Sequence, residues 1–223
     1  MPPLNSCPSA AAHIMAQIRL AARHCLSKAA GSHDWEHTLR VHRLCRKIGP
    51  AERADMLVLE AAAYLHDIGR PQQEASRGSV CHAVAGSRLA TRILAPLPLD
   101  AKRKENIIHC VRAHRFRGDH TPNTNEARAL FDADKLDAIG AVGVARAYLF
   151  AGELGACLHN DRIAPQEAQS YSRNDTGYRE YVVKLARIKD HMITPTGRQM
   201  AQARHQFMVS FFDRFLEEYA GIC

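Results

Sequence analysis

The sequence has few aromatic residues and lacks any long apolar run. Aromatic side chains make up 6% of the 223 residues, and alanine is abundant, which favours helices over strands. No stretch approaches the roughly 18 consecutive apolar residues of a membrane-spanning helix, so we predict no membrane span. The N-terminal segment has no basic stretch ahead of an unbroken apolar core, so we predict no signal peptide.

Cysteine is present without a pattern that would join it into a framework. There are seven cysteines, an odd number, with irregular spacing and no C-x-x-C pair. The sequence therefore predicts neither a disulfide-stapled scaffold nor a zinc knuckle. Reduced cysteines are typical of the cytosol, so we expect a cytoplasmic protein.

The sequence also has no excess of acidic over basic residues. The chain has 30 lysine and arginine residues against 23 acidic ones, a formal net charge of +7. Such a charge suits phosphorylated small molecules, anionic membranes or nucleic acid. The basic residues are spread along the chain, which argues against a dedicated nucleic-acid-binding module. The basic run RAHRFRGDH at 112–120 has two interpretations, phosphate binding or a solvated helix end, and both stay open.

Alternating strand patterns are absent, and helical spacing predicts an all-α fold. Polar stretches at 72–79 and 155–176 are predicted as loops, the second as a loop or lid. We expect a core at 10–155, with the polar loop and two C-terminal helices at 156–223 packed on the same domain. Gly69 is predicted to end the third helix. The predicted helices cover about 10–30, 34–48, 52–68, 80–95, 100–115, 126–140, 140–153, 177–191 and 196–219.

The segment AAAYLHDIGRP at 61–71 places His66 and Asp67 at the end of an apolar helix. Neighbouring helical side chains diverge by about 100°, so these two do not meet but can both reach an object beyond the last turn. A divalent metal ion suits that position, because imidazole and carboxylate both bind such ions. The alternative, from the doublet alone, is a helix-end aspartate beside a solvated histidine.

Other polar residues interrupt apolar helical stripes. His37 lies on the apolar side of its helix, where a hydrogen-bonded core histidine is the alternative to a metal ligand. Asp132, Asp134 and Asp137 fall in the apolar segment LFDADKLDAIGAVG at 130–143. Aspartates are costly to bury unless they are paired or bound to a cation.

A histidine, a His-Asp doublet and a distant aspartate, in that order, resemble the signature of the HD superfamily of metal-dependent phosphohydrolases. The resemblance covers about residues 10–217 and implies an HD-domain helical fold with two additional C-terminal helices packed on the core. The surrounding segments look like those of bacterial HD proteins related to YedJ and YpgQ. The segments that carry it are HDWEHTLRV, AAAYLHDIGRP, HAVAGSRLA, IIHCVRAHRF, DADKLDAIGAVGVAR and KLARIKDHMITPTGRQMAQARHQFM.

The resemblance implies one divalent metal ion held by four side chains. Two nitrogens and two oxygens suit Mn²⁺ first, with Mg²⁺, Co²⁺, Ni²⁺, Fe²⁺ or Zn²⁺ as alternatives. Arg70 and Lys135 each follow a ligand and are candidates to bind phosphate. The implied ligands are His37, His66, Asp67 and Asp134.

The other candidate catalytic residues, beside the ligand Asp67, are His82 and Asp137. His82 could orient the phosphate chain or protonate a leaving group, and Asp137 could act as general base or hold a ligand histidine. His109 and His114 could contact phosphate or, with His82, a second metal ion. The alternatives are a polar pocket lining for the histidines and a surface carboxylate paired with an arginine for Asp137.

The resemblance implies an enzyme that hydrolyses a phosphoester or phosphoanhydride bond. In the resembled branch the implied reaction converts nucleoside or deoxynucleoside triphosphates to monophosphate and pyrophosphate. A nucleotide phosphodiesterase, a phosphomonoesterase or a non-catalytic nucleotide sensor could use the same site, and these alternatives stay open. The partner is expected to be a small nucleotide or phosphate ester, and a homodimer also stays open.

Overall fold

The computed structural model describes residues 9–27, 34–115 and 120–222. The regular secondary structure of these residues is all-α, as predicted, and the residues form two compact units. The first unit covers the described residues up to Phe131, and the second covers those from Asp132 onward. The end of the predicted first helix and positions 116–119 of the basic run lie outside the described residues. The domain division at residue 155 stays a prediction.

Helices of moderate length make up the first unit. Aspartate side chains fix three of their starts: Asp34, Asp55 and Asp100 accept hydrogen bonds from backbone N–H groups in the first turns. The helices are α1 Ala10–Cys25, α2 Trp35–Ile48, α3 Met56–Leu65, α4 Arg70–Ala75, α5 His82–Leu94 and α6 Ala101–Ala113, and α7 Asn125–Asp137 begins here and ends in the second unit.

Helix α3 is the apolar centre of the first unit. It packs against α1, α2 and α6, while α5 packs against α6 and α4. The alanines at 61–63 are fully buried and leave room for neighbouring helices to come close. Leu59 and Leu65 are also fully buried, and each contributes about 1.5–3 kcal/mol. Helix α3 is therefore a well-packed support for the residues that follow its end.

Two predicted boundaries in this unit are wrong. The helix predicted over 52–68 begins only with α3, because Asp55 caps it and Arg53 has a left-handed φ of 55°. The loop predicted over 72–79 overlaps α4. Pro71 lies in the first turn of that helix, where its fixed φ is favourable.

After the end of α7, the second unit contains α8 Gly140–Glu153, α9 Gly177–Val183, the 3-10 helix Leu185–His191 and α10 Pro195–Tyr219. Helix α10 packs on α8 and on the 3-10 helix, and α9 contacts both. Phe212 is almost fully buried and stacks on Tyr181 with ring centroids 4.3 Å apart. The single helix predicted over 177–191 is wrong, because the backbone leaves the α conformation at Lys184. The predicted irregular stretch at 155–176 is confirmed.

Within the described ranges, none of the helices combines the length and the apolar character needed to cross a membrane.

Candidate metal centre

The carboxylate of Asp67 is the centre of the candidate site. His66 caps the C-terminal end of α3, and Asp67 follows with 1% of its surface exposed. Gly69 does not end α3 with a left-handed backbone, since its φ is −88° and it precedes α4. A Cβ at Gly69 would collide with the backbone carbonyl of His82. Gly69 therefore permits α5 to lie close to the turn that carries Asp67.

One oxygen of Asp67 faces a first pair of histidines. Its Oδ2 lies 3.6 Å from Nε2 of His37 and 3.6 Å from Nε2 of His66, and these two nitrogens are 3.3 Å apart. The backbone N–H of His37 donates to the capping Asp34 at 2.9 Å, which places His37 in the first turn of α2. His66 donates Nδ1–H to the carbonyl of Ala63 at 2.8 Å, so its neutral ring presents the Nε2 lone pair.

The other oxygen of Asp67 faces a second pair. Its Oδ1 lies 3.5 Å from Nε2 of His82 and 3.5 Å from Nε2 of His114, and these nitrogens are 3.1 Å apart. His114 follows α6 and donates Nδ1–H to the carbonyl of Val111 at 2.7 Å. His82 is the first residue of α5, and its Nδ1 lies 2.5 Å from Oε1 of Gln73. We call His37, His66, Asp67, His82 and His114 the Asp67 cluster.

The Asp67 cluster fits a divalent cation. The Nδ1 atoms of His82 and His114 both face carbonyl oxygens, which only accept hydrogen bonds. Two neutral rings would therefore oppose their Nε2 lone pairs at 3.1 Å, a contact that becomes favourable with a proton or a metal ion between them. The four histidines are between 0% and 4% exposed. Imidazole nitrogen and carboxylate oxygen suit divalent transition metals in such a buried setting.

Arg70 also contacts Asp67. Its Nε donates to Oδ1 of Asp67 at 2.9 Å, and its side chain is 19% exposed. A guanidinium has five N–H donors in a planar fork, so this bond engages one of them. Arg70 therefore lies at the edge of the cluster, and its role in binding phosphate stays a prediction.

The predicted site residues of the second unit lie on α7. Asp134 accepts a hydrogen bond from Nζ of Lys135 at 2.8 Å. Asp137 is 1% exposed and accepts from Nη1 of Arg146 at 2.7 Å. Asp137 is thus paired with an arginine, in a buried position rather than on the surface. The metal, phosphate and general-base roles of these residues stay predictions.

Asp132, on the same helix, has a structural setting. It is fully buried and accepts hydrogen bonds from the backbone N–H of Ile193 at 2.9 Å and from Thr194 through both N–H and Oγ1 at 2.7 Å. Burial raises the pKa of Asp132, and the hydrogen bonds from Thr194 and Ile193 oppose that rise. A Cβ at Gly197 would collide with this carboxylate. Asp132 therefore fixes the turn before α10.

His109 has a different setting from the other candidate histidines. Its Nε2 accepts a hydrogen bond from the backbone N–H of Asn123 at 3.3 Å. Burial, with a smaller contribution from the nearby His120, lowers the pKa of His109. A lowered pKa keeps this imidazole neutral over a wider pH range.

The sequence pattern does not reveal that Gln73 contacts His82. Helix α4 has no buried residue, so it carries no apolar stripe that would mark it as a helix. The available signal is Pro71, which is favoured in the first turn of a helix. Even that signal does not indicate which α4 side chain reaches α5.

The chain is similar to proteins of a known family. The HD domain family matches residues 34–139, the segment that carries the whole Asp67 cluster. A protein of Bacillus subtilis (strain 168), described as uncharacterized protein YpgQ, is 35% identical over 214 residues. The match covers 92% of this chain and 94% of that protein.

Solved structures extend the likeness to the fold. The crystal structure of Bacillus subtilis YpgQ has a TM-score of 0.72 at 31% identity and covers 93% of this chain and 96% of that one. The same protein in complex with ADP has a TM-score of 0.69 at 31% identity, over 92% and 96%. An HD-superfamily hydrolase from Bacillus thuringiensis has a TM-score of 0.75 at 26% identity, over 94% and 98%. The chain belongs to the HD domain family.

Proposed function

We propose that this chain is a metal-dependent phosphohydrolase that converts nucleoside or deoxynucleoside triphosphates to monophosphate and pyrophosphate. The observation that carries the proposal is the Asp67 cluster, in which a buried carboxylate lies between two pairs of histidines. Structural relatives described as HD-superfamily hydrolases support a hydrolytic reaction. The complex of YpgQ with ADP supports a nucleotide as the ligand.

The metal ion is proposed to be Mn²⁺, with Mg²⁺, Co²⁺, Ni²⁺, Fe²⁺ and Zn²⁺ as alternatives. When bound, a divalent ion would supply positive charge that activates water and neutralises phosphate oxygens. The buried nitrogen and oxygen atoms around Asp67 suit such an ion. The proposed ligands are His37, His66, Asp67 and Asp134.

Basic side chains near the proposed ligands would hold the phosphate groups. Arg70 is oriented by its bond to Asp67 and has further N–H donors for phosphate oxygens. Lys135 would act as a point charge beside Asp134. Asp137, held by Arg146, is proposed as the general base.

A second metal ion is favoured by one observation. Oδ1 of Asp67 and the Nε2 atoms of His82 and His114 lie between 3.1 and 3.5 Å from one another, and all three side chains are buried. Each oxygen of Asp67 faces one histidine pair. Asp67, His82 and His114 would hold this second ion.

Product analysis tests the proposal. The purified chain is stripped of metal and reloaded with Mn²⁺, Mg²⁺, Co²⁺ or Ni²⁺ singly. Nucleoside triphosphates, deoxynucleoside triphosphates, cyclic nucleotides and monophosphates are then offered. Anion-exchange chromatography resolves the nucleotides, and pyrophosphate and orthophosphate are assayed separately. We expect monophosphate and pyrophosphate, formed only with metal present.

Two variants make the product analysis specific. Asp67→Ala should abolish turnover while circular dichroism shows a folded protein, whereas the exposed Asp213→Ala should behave as wild type. Full turnover by metal-depleted protein would contradict the proposal. Nucleoside and orthophosphate would indicate a phosphomonoesterase, and opening of cyclic nucleotides a phosphodiesterase. Nucleotide binding without product would indicate a sensor.

A further inference from the structure

A glutamine on α4 contacts one histidine of the Asp67 cluster. Oε1 of Gln73 lies 3.2 Å from the backbone N of His82 and 2.5 Å from its Nδ1. A backbone N–H can only donate, so the side-chain atom that faces it is the amide oxygen. An amide oxygen can only accept, so Nδ1 of His82 carries a proton. The neutral ring then presents the lone pair of Nε2.

The other side of the His82 ring faces the cluster. Its Nε2 lies 3.1 Å from Nε2 of His114 and 3.5 Å from Oδ1 of Asp67. We propose that Gln73 is a positioning residue that holds His82 in the tautomer and orientation in which Nε2 binds a cation. This inference rests on the proposed metal-dependent function and deepens it. It assigns His82 to the cation rather than to the phosphate chain.

The position of His82 in its helix explains why an outside acceptor is needed. His66 and His114 follow the ends of α3 and α6, and each donates Nδ1–H to the carbonyl three residues earlier in the same helix. His82 begins α5 and has no preceding turn of its own helix to supply that carbonyl. Gln73, nine residues earlier on α4, supplies the equivalent oxygen.

Gln73 also has a structural role that the test must separate. By accepting the N–H of His82, it satisfies a backbone donor in the first turn of α5. Loss of that bond would lower thermal stability whether or not the imidazole matters. Cation affinity and the electronic spectrum of a bound ion report on His82 itself. The chain offers a matched control, because Gln72 lies on the same helix and is exposed.

The experiment compares full-length wild type with Gln73→Leu, Gln73→Glu and Gln72→Leu. Calorimetric titration with Mn²⁺ measures affinity, titration with Co²⁺ gives the visible spectrum, and thermal denaturation gives the midpoint. Removal of the oxygen in Gln73→Leu should weaken Mn²⁺ binding by about 10- to 100-fold and change the Co²⁺ spectrum. A carboxylate accepts both bonds, so Gln73→Glu should stay within about threefold of wild type. Gln72→Leu should match wild type.

Two outcomes would overturn the inference. The first is a Gln73→Leu protein with a lower thermal midpoint but unchanged Mn²⁺ affinity and Co²⁺ spectrum, since Gln73 would then only cap α5. The second is wild type that binds neither ion. Failure of the proposed function is seen separately, as wild type that binds metal but forms no product from any nucleotide. In that case the affinities of the Gln73 variants still decide the role of Gln73.

Discussion

Two buried aspartates, Asp67 and Asp132, show how the neighbours of a carboxylate determine its role. Their exposed fractions are 1% and 0%. Asp132 receives three hydrogen bonds from donors in residues 193–194. Asp67 accepts a hydrogen bond from Arg70, and its two oxygens face the Nε2 atoms of two histidine pairs at 3.5 to 3.6 Å.

This difference in neighbours distinguishes a structural carboxylate from one that is suited to binding a cation. A carboxylate among N–H and O–H donors is stabilised by the protein alone. A carboxylate beside imidazole lone pairs is stabilised further by a proton or a cation between them. Burial does not distinguish the two aspartates, whereas the donor or acceptor character of their neighbours does.

The largest expected effect is the loss of metal binding in Asp67→Asn. The amide keeps the shape of the side chain but removes the negative charge and one acceptor oxygen. We expect Mn²⁺ affinity to fall by about 100-fold or more, and turnover with it, while the protein stays folded. Calorimetric titration and product assays measure both. Asp132→Asn should bind Mn²⁺ as wild type does, and a loss of equal size there would remove the distinction between the two aspartates.

Metal removal should have the next largest effect. A ligand that binds only the folded state stabilises it by about 4 kcal/mol at a free concentration 1,000-fold above its Kd. The thermal midpoint of wild type should therefore rise with Mn²⁺ concentration. Asp132→Ala should start from a lower midpoint and show the same rise, whereas Asp67→Asn should show little. Equal responses of all three proteins would place the ion elsewhere.

The helices could be predicted where a short stretch of sequence contains a capping residue or a periodic apolar face. The bounds of α8 agree with the predicted 140–153, and the capping role of Asp34 is confirmed. Helix α4 escaped prediction because it buries no residue and so has no periodic apolar face. The break at Lys184 has no signal as strong as glycine or proline.

The candidate site could be predicted only in part. The residue order along the chain identifies His66 and Asp67, because two adjacent residues at a helix end can both reach an ion beyond the last turn. The contact between His82 and His114 joins residues 32 positions apart, so it depends on the packing of α5 against α6. Helical spacing separates His109 from His114, but only the fold shows that His114, beyond the end of α6, faces Asp67.

A smaller effect is expected on stability from Asp132→Ala. This change leaves the two N–H groups and the hydroxyl of residues 193–194 without their acceptor. Each unsatisfied buried group costs about 1–3 kcal/mol, and partial access of water reduces the sum. We expect a loss of about 2–4 kcal/mol in the free energy of unfolding, measured by urea denaturation. A loss below about 0.5 kcal/mol would show that Asp132 does not fix the turn before α10.

The smallest expected effect is a pH dependence that arises from Asp132. Burial raises its pKa above the ordinary 3.8, so the folded chain keeps this proton at pH values where the unfolded chain has released it. The contribution of Asp132 to the free energy of unfolding should therefore be complete below the unfolded pKa and decline as pH rises through the folded pKa.

Asp132→Asn cannot titrate at this position, so its comparison with wild type isolates the effect. The stability of wild type relative to the variant should fall as pH rises above the unfolded pKa of 3.8, by at most about 1.4 kcal/mol per pH unit. Urea denaturation at successive pH values measures the difference. A relative stability that rises with pH would show that the donors of Ile193 and Thr194 outweigh burial and hold the carboxylate ionised. The protein donors of residues 193–194 would then stabilise the ionised form of Asp132, which would strengthen its contrast with Asp67.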